Sequence, residues 1–283
     1  MYKKTQALNE TETPEFTEST VFIQNGNYQI PAAICLPNGQ GTFPAVVMLH
    51  GTGSDKNEVA DGYKIAAHAL ADAGIASIRI DFIGSGESSE DYINYNFKTA
   101  ISDTDAAQNY IGGLEAVDPN RIGVMGWCQG GTIALLAAGS NQLYKSVLCW
   151  AGSIDLTLMV SEENYAIAKR DGFYNLTFPW RGSLQLGLSW FDDVHTTDVL
   201  EVFSNSNAPV MTINGSADVT VNPITGEKII LSSQNEQSRT EIIAGADHVF
   251  NLFSGDMRVF NQLMSTTIDW FIQTLTEQHR PDC

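Results

Sequence analysis

A cysteine set among glycines is the most chemically specific feature of this chain. In Gly126-Trp127-Cys128-Gln129-Gly130-Gly131 an apolar run, Arg121–Met125, passes into a helix-forming run, Gly130–Ala138. A nucleophile on a sharp strand-to-helix turn stands exposed above its sheet, and only small residues two places before and after it avoid clashes. The positive end of the following helix favours a thiolate or an oxyanion. Two later stretches could complete the chemistry. Ile213-Asn-Gly-Ser-Ala-Asp218 and Ile243-Ala-Gly-Ala-Asp247-His248 each place a functional group just past an apolar run. In that arrangement His248 takes the proton from Cys128, and Asp218 holds the imidazole in the right tautomer. Asp155 and Asp247 are rival acids, but Asp247 would have to turn back on its own neighbour.

A second piece is Val46-Val-Met-Leu-His50-Gly51-Thr52-Gly53-Ser54. Such a loop can aim a backbone N–H at a developing oxyanion, with a second from the residue after the nucleophile; those donors are Thr52 and Gln129. His50 reads as a loop organiser, His68 and His279 as structural or solvated, and His195 as a surface residue within reach of substrate. Arg79-Ile-Asp81-Phe-Ile-Gly84-Ser-Gly86 resembles a phosphate loop in isolation, but no full GxGxxG opens a helix here, so a nucleotide site is disfavoured.

These groups need a scaffold. Ser19–Gln24 and Gln29–Leu36 read as a hairpin through Asn25-Gly26-Asn27. Strands are expected at Ala45–Leu49, Ile75–Ile80, Arg121–Met125, Val147–Trp150, Val210–Ile213 and Glu241–Ile243. Helices are expected at Asn57–Ala73, at Phe97–Leu114, from Gly130, and from about Met257 to Thr276. The alternation implies an α/β fold with a mostly parallel central sheet and antiparallel strands at one edge. Residues 1–18 form a polar N-terminal segment, residues 19–152 and 208–283 the core, and residues 153–207 an insertion expected to be helical and to cap the strand ends. Its aromatic content nominates Trp180, Trp190 and Phe191, with Trp127 beside the nucleophile, as substrate contacts.

Together HGTGS, DFIGSGES, GWCQGG, the acid after INGSA and the final Asp-His resemble the α/β-hydrolase superfamily over about residues 20–275. HG-x-G with DF-x-G-x-G-x-S resembles feruloyl and cinnamoyl esterases and dipeptidyl-peptidase-like hydrolases, which usually carry Ser as nucleophile. G-x-C-x-G-G is similar to dienelactone hydrolase, which uses Cys but is generally shorter and lacks so large an insertion. Cys128 is thus either a natural nucleophile or a replacement for Ser. The resemblance implies cleavage of a carboxylic ester, or a related acyl bond, of an apolar or aromatic small molecule. Acyl transfer, lactone opening, thioester cleavage and peptidase activity share the same constellation. A noncatalytic binder would have no need of nucleophile, acid and base together.

Bulk properties narrow the field. The 283 residues are 43% hydrophobic, enough to build a large core. Lys and Arg total 15 against 33 Asp and Glu, a net charge of -18, which disfavours nucleic acid and anionic membrane surfaces. No apolar run approaches the roughly 18 residues of a membrane span, and the first residues lack the apolar stretch of a signal peptide. Cys35, Cys128, Cys149 and Cys283 match no metal-ligand spacing, so neither a metal nor a cofactor is expected, and a reducing, cytoplasmic setting is the simplest reading. The aromatic insertion also leaves room for a homo-oligomer.

Overall fold

The computed structural model describes residues 16–179 and 181–276, without the side chain of Leu158. The chain opens with the hairpin β1 (Phe16–Asn25) and β2 (Tyr28–Pro37), followed by β3 (Phe43–Leu49), α1 (Gly62–Asp72) and β4 (Ala76–Ile80). Next come α2 (Phe97–Gly112), β5 (Val117–Trp127), α3 (Gln129–Ser140) and β6 (Ser146–Trp150). The middle of the chain contributes α4 (Glu162–Asp171), the strands β7 (Phe173–Phe178) and β8 (Gly182–Gly187), α5 (Leu188–Thr196) and α6 (Val199–Phe203). It closes with β9 (Val210–Gly215), α7 (Ile224–Ser232), β10 (Arg239–Ile243) and α8 (Arg258–Leu275).

Eight strands form one sheet in the order β1-β2-β4-β3-β5-β6-β9-β10. The pairings from β4 through β10 are parallel, whereas β1 and β2 run antiparallel at one edge. Parallel strands covered on both faces read as continuous apolar runs, because successive side chains enter opposite layers. In β3, Ala45, Val47 and Leu49 enter the layer beneath α2 and α3. Val46 and Met48 enter the layer beneath α1 and α8. The result is an α/β/α sandwich with strand C-termini gathered along one rim.

Two expectations need correction. The polar N-terminal segment does not extend to residue 18, because β1 already begins at Phe16. Phe16 stacks on His68 at 4.4 Å between ring centroids, and Glu18 accepts from His68 Nε2 (2.6 Å) and the buried Arg79. Partners far along the chain hold these residues, which local polarity cannot reveal. Glu18, Cys35 and His68 bring ligand-type atoms within 4.8 Å of one another. Burial, however, raises the Cys35 thiol to about 12, against the thiolate a metal would need, and Arg79 and His68 already share the Glu18 carboxylate.

The insertion is also not purely helical. Its strands β7 and β8 pair antiparallel from Phe173↔Gly187 to Phe178↔Gly182. The aromatic and Thr-rich Phe173-Tyr-Asn-Leu-Thr-Phe178 carries β propensity that a search for helical spacing passes over. Trp180 lies outside the described residues. Among the described residues no helix is long and apolar enough to cross a membrane.

Candidate active site

Strand β5 ends at Trp127 and α3 begins at Gln129, leaving Cys128 alone on the bend. Its backbone stands at φ 54°, ψ -117°, a conformation that L-residues avoid unless their surroundings impose it. The surroundings here are backbone. A Cβ at Gly126 would fall 2.0 Å from the Gly130 carbonyl, and one at Gly130 would fall 2.0 Å from the Leu49 carbonyl oxygen. The bend is held further by Cys128 N–H to Trp150 O (2.9 Å) and Ser153 N–H to Cys128 O (3.2 Å).

Asp218 and His248 arrive from the loops after β9 and β10. His248 Nδ1 lies 2.9 Å from Asp218 Oδ2, and the ion pair is buried on the carboxylate side. Asp218 Oδ1 also accepts from Thr220 and Val221 N–H at 2.7 and 2.9 Å. Burial disfavours the Asp218 carboxylate, but the hydrogen bonds from His248 and these two amides outweigh it and lower its pKa. At His248 burial likewise opposes the charged form. Hydrogen bonding to Asp218 and to the Cys128 thiol overcomes it, and the imidazole pKa rises to about 10. The structure therefore pairs His248 with Asp218, and Cys128 is among the neighbours that raise the imidazole pKa.

The rival acids are engaged locally. Asp155 accepts from Thr157 N–H at 3.0 Å, and Asp247 accepts from the N–H groups of Val249 and Asn251. His50 Nε2 accepts from Phe82 N–H, so its ring proton sits on Nδ1, facing Gly51 O at 2.8 Å; it ties two loops together. His195 turns Nδ1 to Phe191 O and stacks on Tyr165. His279 lies outside the described residues. In the glycine loop after β4, Asp81 accepts from the N–H groups of Lys56 and Glu87 and pairs with Lys56 Nζ at 2.7 Å. A carboxylate thus already occupies the amides that a phosphate would seek.

The second oxyanion-type element faces the bend. The hydroxyl of Thr52 donates to Gln129 Oε1, and Gln129 Nε2 donates to the Tyr95 hydroxyl at 2.8 Å. These bonds lash the loop after β3 to the first residue of α3. Among the described residues, neither Thr52 N–H nor Gln129 N–H has an acceptor. The insertion closes over this loop, since Leu184 and Phe178 lie 3.0 and 3.5 Å from the position of a Gly53 Cβ. Met159 Sδ comes within 3.9 Å of the Thr52 hydroxyl.

The aromatic residues nominated as substrate contacts are placed otherwise. Trp127 is buried against Tyr63, Trp150 and Phe250, and its indole N–H donates to His248 O at 3.1 Å. At 2% exposure Trp127 is part of this core and braces the loop that carries His248. Trp190 and Phe191 are fully buried, with Phe191 stacked on Tyr165, so both are core of the insertion. Sequence reasoning missed Tyr95 and Glu58. Glu58 Oε1 accepts from Gly51 N–H, and Oε2 accepts from the Ser54 hydroxyl (2.8 Å) and Val59 N–H (3.1 Å). An acid seven residues beyond a His-Gly pair carries no local signal of such a role.

Comparison with known proteins agrees with this architecture. A stretch of 133 residues is 32% identical to 2,6-dihydropseudooxynicotine hydrolase of Paenarthrobacter nicotinovorans, covering 45% of this chain and 33% of that one. Another of 136 residues is 32% identical to a Bradyrhizobium protein named for 2-oxo-3-(5-oxofuran-2-ylidene)propanoate lactonase activity, covering 44% and 51%. The chain thus matches a third to a half of these relatives' length. Among solved structures, Est1E of Butyrivibrio proteoclasticus with ferulic acid bound superposes with a TM-score of 0.73 at 18% identity, covering 91% of this chain and 100% of the other. Residues 62–278 match the prolyl oligopeptidase family. That match takes in the bend at Cys128 and both later loops, and the chain belongs to the prolyl oligopeptidase family of α/β hydrolases.

Proposed function

We propose that the protein hydrolyses a carboxylic ester, or a related acyl bond, of a small apolar or aromatic molecule through a covalent acyl-thioester on Cys128. The observation that carries this reading is the imidazole of His248, held 2.9 Å from Asp218 in a site that also holds Cys128 on its strained bend. In the first half-reaction His248 takes the thiol proton of Cys128, and Sγ attacks the carbonyl carbon. The oxygen takes the negative charge and is stabilised by Thr52 and Gln129 N–H. The tetrahedral intermediate collapses, His248 protonates the departing alkoxide, and a thioester remains. In the second, His248 takes a proton from water, the hydroxide attacks the thioester, and the departing thiolate takes that proton back from His248. Asp218 keeps the proton of His248 Nδ1 in place throughout and stabilises the imidazolium.

A panel of aryl esters tests this reading. The wild type is expected to show a burst and an acyl adduct on Cys128 by mass spectrometry. His248→Ala is expected to lose at least about 100-fold in kcat, the usual scale for losing a general base. Equal turnover by wild type and His248→Ala would rule out the assigned base. The similarity to the Bradyrhizobium relative favours lactone opening as a second reading, in which the leaving alkoxide stays attached to the acyl group. Including an enol lactone in the panel separates the two, because ring opening then outpaces cleavage of the open-chain esters.

A further inference from the structure

We infer that Glu58 is a positioning residue that fixes the oxyanion-binding loop against the nucleophile, an inference that rests on the acyl-transfer reading above. The loop Gly51-Thr52-Gly53-Ser54 has few bonds of its own; within it Ser54 N–H returns to Gly51 O at 3.2 Å. Its two ends converge instead on one carboxylate. Oε1 of Glu58 takes Gly51 N–H, and Oε2 takes the Ser54 hydroxyl and Val59 N–H. Glu58 therefore brackets Thr52, the residue whose N–H is left free to meet an oxyanion.

The geometry on the other side of the loop is just as close. A Cβ at Gly51 would lie 3.3 Å from the Cys128 Cβ and 3.4 Å from Glu58 Oε1, so the loop is sandwiched between nucleophile and carboxylate. A second, independent observation is backbone strain. Glu58, Ala60 and Asp61 stand at φ 60°, 50° and 59°, all non-glycine residues in the left-handed region. Strain of this kind persists where the surrounding structure imposes it, and such residues cluster at functional sites. Burial raises the Glu58 pKa, and the nearby His50 and the three hydrogen bonds work against that rise.

A carboxylate that only contributed to folding would change stability on removal and leave the chemical step alone. A positioning residue acts on kcat, because a donor displaced by about 1 Å fails at the transition state while substrate binding survives. The test compares wild type, Glu58→Ala and Glu58→Gln by three measurements: aryl-ester kinetics, hydrogen exchange of the amides of residues 51–54, and the rate of iodoacetamide alkylation at Cys128. For Glu58→Ala we expect faster exchange in the loop and a fall in kcat of about 10- to 100-fold with KM changed by less than about threefold. Alkylation should stay within about twofold of wild type, since the reagent makes no use of an oxyanion hole. Glu58→Gln should fall between, because its amide oxygen still accepts from Gly51 N–H while its NH2 cannot accept from Ser54 or Val59.

Wild-type exchange at residues 51–54 in Glu58→Ala overturns the inference whatever happens to turnover. A fall in kcat matched by an equal fall in alkylation also overturns it, because Glu58 would then act through the thiol. If Glu58→Ala does not fold, Glu58→Gln is read by the same criteria. A wild type inert on every acyl substrate sinks the esterase reading alone, and the exchange data still decide whether the loop depends on Glu58.

Discussion

At His248 burial and charge pull in opposite directions, and the neighbours win. The imidazole pKa rises from 6.5 to about 10 through Asp218 and Cys128. A raised pKa means that the folded state binds the proton more tightly than the unfolded chain, so the pair stabilises the fold in full below about pH 6.5 and progressively less up to about pH 10. Replacing His248 by Gln should therefore cost on the order of a few kcal/mol at pH 6 and much less near pH 10. Denaturant unfolding of both proteins across that range measures the difference, and a gap independent of pH would contradict the assignment. Single residues were unevenly legible in the sequence. Cys128 stood out because its glycine frame is a local pattern, and Asp218 and His248 because each follows an apolar run. Trp127, Trp190 and Phe191 misled, since a buried aromatic ring and a substrate-facing one look alike until the strand's facing is known.

On the scale of the element, the bend between β5 and α3 leaves no space at Gly126 or Gly130, where an added Cβ meets backbone at 2.0 Å. Gly130→Ala should destabilise the protein by more than about 3 kcal/mol, because backbone on both sides must shift, and should reduce soluble yield before any effect on turnover can be read. Thermal melting checks this, and an unchanged Tm would show that the bend is looser than described. The parallel strands were legible because burial on both faces gives continuous runs such as Ala45–Leu49. The pair β7–β8 was not, since its turn lacks the Asn-Gly signal that marks the hairpin β1–β2, and each strand is only six residues long. Helix α7 was also overlooked, because its segment opens after Pro223 without a side-chain cap.

For the whole molecule the dominant quantity is a net charge of -18, carried by a fold that gathers its parallel strand ends along one rim of the sheet. A field of that sign repels anions over about one Debye length and is screened by salt. Iodoacetate should therefore alkylate Cys128 more slowly than neutral iodoacetamide at low salt, by about three- to tenfold, and the ratio should shrink as salt rises towards 0.5 M. A ratio insensitive to salt would mean that local groups override the overall field. The core supplies the rigidity on which the site depends. Trp270 is fully buried and donates to Val147 O at 3.2 Å, so Trp270→Ala should cost about 3–5 kcal/mol by denaturant melt while leaving KM unchanged.

The hydrogen bond from Trp127 to the carbonyl of His248 joins the residue before Cys128 to the loop that carries His248. Any small excursion of the bend is thereby passed on to the imidazole. Sulfur and ring would drift together, as two points on one rigid bracket, and their separation would stay nearly constant while the rest of the rim breathes.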